Sequence, residues 1–147
     1  MDSRSDFALL ELASGGPLAD SNELVEAPYL SLVTWRRSGQ PVATPVWCAR
    51  DGDEFFIFSA GDAGKVKRIR GGSAAALAIC DVRGRVSSGY VRGTARILSS
   101  QADIARALTA LRRKYGWQMR VADLLSYCTG RFARRAYLAV RPGSEPR

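Results

Sequence analysis

The chain contains no histidine among its 147 residues. Imidazole therefore cannot act here as a general base, a member of a catalytic triad or a metal ligand. The three cysteines, Cys48, Cys80 and Cys128, lie far apart and lack Cys-x-x-Cys spacing, which argues against a zinc site and an even disulfide framework. We interpret them as free thiols of a reducing compartment. No cluster of carboxylates is visible either, so we predict no metal site.

Long apolar runs are also missing. No stretch reaches the roughly 18 apolar residues that a helix needs to cross a bilayer. The first residues include Asp2, Asp6 and Glu11, unlike the basic and then apolar start of a secretory signal peptide. We therefore expect a cytoplasmic protein with no membrane partner. The length predicts a single domain, and 46% hydrophobic residues are enough to fill its core.

What the chain has in excess is positive charge. Lysine and arginine total 22 against 14 acidic residues, which gives a net charge of +8 and an isoelectric point near 10.0. A basic surface favours an anionic partner such as nucleic acid, a membrane or a phosphorylated ligand. An arginine-rich composition is also a habit of some proteomes, and the total charge does not separate the two explanations. Clustered charges are more informative.

Strand patterns dominate the chain from Tyr29 onward. Three strands joined by turns at Gly39 and at Asp51-Gly52-Asp53 predict a meander. Short hairpin links and few long helices favour a β-barrel over an alternating α/β sheet. We expect a flexible extension at 1–19, a barrel domain at 20–141 and a frayed tail at 142–147. The predicted strands are 29–35, 41–49, 54–59, 74–81, 89–98 and 133–140, and the predicted helices are about 21–27, 100–115 and 119–127.

The sharpest local feature follows the third strand. The strand ends at Ser59, glycines and small residues come next, and a basic helical turn then carries Lys65, Lys67, Arg68 and Arg70. Free backbone N–H groups at a helix start, together with nearby cations, form a phosphate site. The segment is not a Walker A loop, because no serine or threonine follows Lys65. On pattern alone, a solvated basic face deserves equal weight.

Six short motifs occur in series between about residues 29 and 140. They are Thr44-Pro45-Val46-Trp47, Asp51-Gly52-Asp53, Gly64-Lys65-Val66-Lys67-Arg68-Ile69-Arg70, Cys80-Asp81-x-Arg83-Gly84-Arg85, Gly93-Thr94-Ala95-Arg96 and Arg113-Lys114-Tyr115-Gly116-Trp117-Gln118. The ordered set resembles the pyridoxamine-5'-phosphate-oxidase-like split-barrel proteins, specifically the actinobacterial branch that uses the deazaflavin coenzyme F420. The resemblance implies a mainly β protein with a few short helices, built as a six-stranded split β-barrel. It also implies a homodimer with two cofactor sites at the subunit interface.

The resemblance further implies a set of cofactor-binding residues. One strand lines the deazaflavin ring, a strand end and the basic turn hold the phosphate and the acidic tail, and a tryptophan after the long helix approaches the site. These residues are, in that order, Thr44, Pro45, Val46 and Trp47; then Phe58, Ser59, Lys65, Lys67 and Arg68; and finally Trp117. The chain departs from the family pattern at 86–90, where proline and tryptophan are common, so the substrate pocket is not defined by the resemblance.

Some of these residues also have ordinary structural explanations. A tryptophan in a strand, such as Trp35 or Trp47, is more often a core residue than a stacking partner of a cofactor. Cys80 follows an apolar strand and has no histidine to activate it, so we interpret it as an inert buried thiol. We assign no catalytic residue.

The expected reaction is hydride transfer from reduced coenzyme F420 to a small unsaturated organic substrate, with the cofactor supplying the difficult chemistry. Four cations within residues 65–70 exceed what the single phosphate of FMN needs, which favours coenzyme F420. Two alternatives stay open: an FMN-dependent oxidoreductase of the same fold, and a protein that binds or stores coenzyme F420 without turnover. A nucleic-acid-binding barrel is the least favoured hypothesis, because aromatic residues do not alternate with the cations along one strand. We therefore expect no nucleic acid partner.

Overall fold

The computed structural model describes residues 21–61, 63–130 and 134–143. The predicted extension at 1–19 and residues 144–147 of the predicted tail lie outside these ranges. The described elements are, in chain order, α1 (Ser21–Glu26), β1 (Tyr29–Trp35), β2 (Pro41–Val46), β3 (Ala49–Asp51), β4 (Glu54–Ala60), α2 (Gly64–Gly71), β5 (Ala74–Cys80), β6 (Val91–Ile97), α3 (Gln101–Tyr115), α4 (Trp117–Cys128) and β7 (Arg135–Pro142).

The strands form one antiparallel sheet in the order β2-β1-β5-β6-β7-β4-β3. The sheet curls into a half-barrel, because side chains from β1, β2, β4, β5, β6 and β7 meet in one buried apolar cluster. Helix α2 packs Val66 and Ile69 into this interior, as their spacing predicts. The prediction of a mainly β protein with short helices is confirmed. Gly39 and Gly52 have positive φ angles of 89° and 66°, as the predicted turns require.

The expectation of six strands is wrong, because the segment predicted as one strand at 41–49 divides in two. β2 ends at Val46 opposite Leu30 of β1, whereas β3 begins at Ala49 opposite Phe56 of β4. Between them, the backbone N–H of Cys48 donates to the Tyr115 hydroxyl at 2.9 Å instead of to a neighbouring strand. The chain therefore changes its pairing partner at this point, and the sheet has seven strands in the described ranges.

Helix α3 covers the outer side of the sheet. It begins where the Ser100 side chain accepts a hydrogen bond from the Asp103 N–H at 3.1 Å, and it ends at Gly116, whose φ is 56°. Its inward side chains, including Leu111 and Tyr115, form a second apolar cluster with Phe56 and other sheet residues. The helix predicted at about 119–127 is α4, which begins at Trp117, two residues earlier than the sequence predicts.

The burial of two of the cysteines limits their reactivity. Cys48 and Cys80 are buried free thiols, and burial raises their pKa values to about 12 and about 11, respectively. Both thiols therefore stay protonated at neutral pH, which agrees with inert cysteines. Cys128 is free and exposed.

None of the helices in the described ranges is long and apolar enough to span a bilayer.

Candidate cofactor site

A cleft of about 620 Å³ opens between the end of β1 and the C-terminal half of α2. We call it the basic cleft, because five cations line it and no acidic residue does so within the described parts of the chain. Like charges held around one cavity repel each other unless an anion lies between them. The cleft is therefore suited to a ligand with several negative charges. The five cations are Arg36, Arg37, Lys67, Arg68 and Arg70.

Arg68 is the most fixed of these cations. Its Nε donates to the Thr34 hydroxyl on β1, and its guanidinium folds back over the start of α2. A Cβ on Gly64 would lie only 2.8 Å from the Arg68 Nη1, so glycine leaves the space that this guanidinium uses. Burial, with a smaller contribution from the charge of Arg36, lowers the pKa of Arg68. The guanidinium is thus held in place by a hydroxyl group, and it has no carboxylate partner among the described residues.

Lys65 lies apart from the basic cleft, although the sequence groups it with the other three cations of α2. At about 100° per residue, Lys65 is on the opposite flank of the helix from Lys67 and Arg70. It is half-buried, and its pKa is lowered first by burial and then by the charge of Arg68. The helix starts without a side-chain cap, so its first backbone N–H groups also remain available for an anion beside Lys65.

Sequence reasoning missed Arg36 and Arg37, which it treated as turn residues. They belong to the cleft because α2 leads directly into β5, and β5 pairs antiparallel with β1. The end of α2 therefore lies beside the end of β1. Two consecutive arginines at a strand end were the available signal. Trp35 also lines the cleft, and its buried indole Nε1 has no hydrogen-bond partner in the described residues.

Trp47 and Phe58 form an aromatic group with Tyr115 of α3. The Trp47 and Tyr115 rings stack with centroids 4.7 Å apart and planes 12° apart, and Phe58 meets Trp47 edge-on at 6.1 Å. Trp47 therefore has a packing role, as a strand tryptophan often does. It stays half-buried, so part of its surface remains open to a ligand.

The other residues predicted to line the ring do not share one face. Thr44 and Val46 lie on the interior side of β2, opposite Leu32 and Leu30. Pro45 lies on the outer side, where it is exposed. Only the backbone and the outer side chains of this strand can therefore touch a ligand outside the sheet.

The remaining predicted residues, Phe58, Ser59 and Trp117, differ in their exposure. Ser59 is buried near the end of β4, and the half-buried Phe58 lies under the Arg135 guanidinium at 4.5 Å. Trp117 is 72% exposed at the start of α4. The structure does not bring the indole of Trp117 into the aromatic group of Trp47.

Sequence reasoning also missed a buried ion pair that joins α4 to the sheet. The Arg135 side chain is 4% exposed and donates to Asp123 Oδ1 at 2.8 Å and to the Ser126 hydroxyl at 2.7 Å. Arg112 donates to the other oxygen of Asp123 at 3.0 Å. These contacts fix α4 beside the strand end that carries Phe58 and Ser59. No pattern in the sequence pairs these residues.

The family model for pyridoxamine 5'-phosphate oxidase matches residues 21–139. No curated protein matches the chain. An F420 reductase of known structure is 19% identical, with a TM-score of 0.53 over 86% of this chain and 97% of that one. The FAD and heme binding protein from Mycobacterium smegmatis is 23% identical, with a TM-score of 0.58 over 84% and 64%. HutZ, the heme storage protein from Vibrio cholerae, is 11% identical, with a TM-score of 0.63 over 86% and 89%.

At these identities the solved structures show a shared fold and nothing finer. The family match covers most of the chain and includes the curled sheet, the basic turn of α2 and the two helices α3 and α4. The chain belongs to the pyridoxamine 5'-phosphate oxidase family.

Proposed function

We propose that this protein is a reductase that uses reduced coenzyme F420 to transfer a hydride to a small unsaturated organic substrate. The observation that carries the proposal is the basic cleft, where five cations surround one cavity without an acidic neighbour in the described residues. Five cations exceed what the single phosphate of FMN needs. Coenzyme F420 adds glutamate carboxylates beyond its phosphate, and the cleft offers the charge to hold them.

The position of the cleft also supports an elongated ligand. Trp35, beside the cleft, pairs with Pro41 at the start of β2, whereas Trp47 follows the end of that strand. Five residues of extended strand span about 17 Å. A ligand with its ring near Trp47 and its charged end in the cleft must cover this distance. FMN ends at its phosphate, whereas coenzyme F420 continues past the phosphate, which favours the deazaflavin.

We assign the following roles to the chain's own residues. Lys65 and the first N–H groups of α2 bind the phosphate, with Ser59 at the preceding strand end, while Lys67 and Arg68 hold the acidic tail. Pro45, Trp47 and the backbone of β2 contact the ring, and the interior side chains Thr44 and Val46 support that strand from behind. When bound, the deazaflavin supplies the hydride. We assign no proton donor.

Titration of the purified protein with coenzyme F420 and, separately, with FMN tests the cofactor. We expect saturable binding of coenzyme F420 and much weaker binding of FMN. Reduced coenzyme F420 is then mixed with a panel of enones and quinones, and its reoxidation is followed by absorbance. Tight FMN binding without coenzyme F420 binding would overturn the proposal. Coenzyme F420 binding without reoxidation across the panel would support a storage protein instead.

We further propose that the protein is a homodimer in which a second copy covers α4. Four large apolar residues on one face of this helix are exposed, in fractions from 47% to 72%: Trp117, Val121, Leu124 and Leu125. An exposed apolar face of this kind marks an interaction site. The buried ion pair of Asp123 holds α4 beside Phe58, so a partner on α4 lies near the proposed cofactor site.

Replacement of Leu124 by glutamate is expected to produce a monomer, because it places a charge in the proposed interface. Multi-angle light scattering measures the mass. The matched control is Gln101→Glu, which adds the same charge at an exposed polar position of α3, outside the apolar face of α4, and leaves the dimer intact. A Leu124→Glu variant that remains dimeric would contradict this placement of the interface.

Lys65 gives the proposed cofactor binding a defined pH dependence. Burial lowers the pKa of Lys65 below its ordinary value of 10.5. The ammonium binds an anion only while protonated, so affinity for coenzyme F420 is expected to fall as pH rises through this lowered pKa. In Lys65→Arg the guanidinium stays charged, and the fall moves to higher pH. Fluorescence titrations from neutral to alkaline pH measure the affinity of the wild type and of the variant for coenzyme F420. Identical pH profiles would show that Lys65 does not contact the coenzyme.

A further inference from the structure

A second cleft, of about 470 Å³, lies between α3, β3 and α1. Its floor is made of small apolar residues, including the buried Ala49 and Ala110, and Val25 of α1 forms one side. We call it the α3 cleft. It shares no lining residue with the basic cleft. Val25 precedes β1 and Trp35 ends it, so the two clefts lie at opposite ends of a strand about 20 Å long.

The α3 cleft carries an excess of positive charge. Among the described residues, four cations line it together with a single carboxylate, Asp51, which already accepts a hydrogen bond from Arg106 at 3.0 Å. The other three cations have no carboxylate partner in the parts of the chain that the structure describes. Arg50 donates through Nε to the Gly52 carbonyl at 2.7 Å, which leaves its terminal nitrogens available. Arg113 has neither a hydrogen-bond nor an ion-pair partner in the described residues.

The third cation, Lys114, is held rigidly at the edge of the cleft. Its Nζ donates to the carbonyls of Ala27 at 2.7 Å and Cys48 at 2.6 Å, which leaves one N–H of the ammonium for a ligand. Burial lowers the pKa of Lys114. Carbonyl groups orient this charge but do not neutralise it. An anion in the cleft would supply the missing negative charge.

We propose that the α3 cleft binds a compact organic polyanion. Its carboxylate or phosphate groups pair with Arg50, Arg113 and Lys114, and its carbon skeleton lies on Val25 and the alanine floor. An inorganic ion would leave this apolar floor uncovered, whereas a cavity of this volume matches a small organic molecule. The described residues that line the α3 cleft include none of the basic cleft, so this proposal does not depend on the use of coenzyme F420.

Amide NMR of the full chain with citrate as the probe tests the proposal. We expect saturable shifts for Ala102, Ala105 and Thr109, which line the cleft on α3. Triethyl citrate, which has the same skeleton without the carboxylates, is expected to cause none. Arg113→Glu should weaken citrate binding at these amides at least about tenfold, since a charge-assisted contact is replaced by repulsion. Arg50→Gln, on a different element, should weaken it too.

The matched control is Arg120→Glu, which makes the same change in net charge on the exposed surface of α4. It should leave citrate affinity within about twofold, because an exposed charge at a distance is screened by salt. Equal weakening by Arg113→Glu and Arg120→Glu would overturn the proposal, as would shifts confined to Gly71 and Gly72 of the basic cleft. Binding of coenzyme F420 is measured separately, so failure here leaves that proposal untouched.

Discussion

The double variant Lys67→Glu with Arg70→Glu is expected to lose at least about 100-fold in affinity for coenzyme F420. Both side chains are exposed and line the basic cleft. Each charge-assisted hydrogen bond contributes at least about 1.5 kcal/mol, and two of them correspond to about 100-fold. Fluorescence titration of the coenzyme measures the change. Arg68 is not chosen, because its bond to Thr34 also supports the fold.

A double variant with the same change in net charge, Arg120→Glu with Arg141→Glu, serves as the control. Both residues are exposed and outside the basic cleft. It is expected to keep wild-type affinity within about twofold, because screened charges far from the ligand contribute little. Equal losses in the two double variants would show that only the total charge of the protein attracts the coenzyme. In that case the basic cleft would not be its binding site.

The largest loss of stability is expected from Asp123→Ala. Arg135, whose side chain is 4% exposed, would then lose the carboxylate of Asp123. Breaking a buried ion pair from one side costs about 3–5 kcal/mol. Because a domain of this size has a total stability of about 5–15 kcal/mol, urea denaturation should detect the change easily.

Arg112→Ala removes the exposed contact of Asp123 and keeps its buried contact with Arg135. Arg112 binds the same carboxylate, but its side chain is 47% exposed. Exposed ion pairs contribute about 0–1 kcal/mol, so this variant should unfold close to the wild type. If both variants lost the same stability, the burial of Arg135 would not be the source of the effect.

Local patterns predicted the elements of the fold well, because each depends on neighbouring residues. The turns at Gly39 and Gly52, the apolar face of α2 and the end of α3 at Gly116 follow from glycine and apolar spacing alone. The division of the strand at Trp47 and Cys48 was not predictable in this way. It depends on Tyr115, whose hydroxyl accepts from the Cys48 N–H and donates to the Pro28 carbonyl.

The candidate site was predicted in part, for the same reason. The basic turn is visible as a run of residues, but its charges separate in space according to helical angle, with Lys65 on one flank and Lys67 on the other. Arg36 and Arg37 lie in the same cleft as Lys67 only because β1 pairs with β5. Sheet order depends on the whole chain, and no local spacing encodes it.

The curled sheet ends on two strands that make poor templates for further pairing. β2, at one edge, contains Pro41 and Pro45, which lack the N–H needed to extend a ladder. β3, at the other edge, is three residues long. Exposed edges of this kind resist edge-to-edge aggregation. The protein should therefore tolerate high concentration without forming fibrils, and any self-association should be broken by changes in its helices and not by changes in its strands.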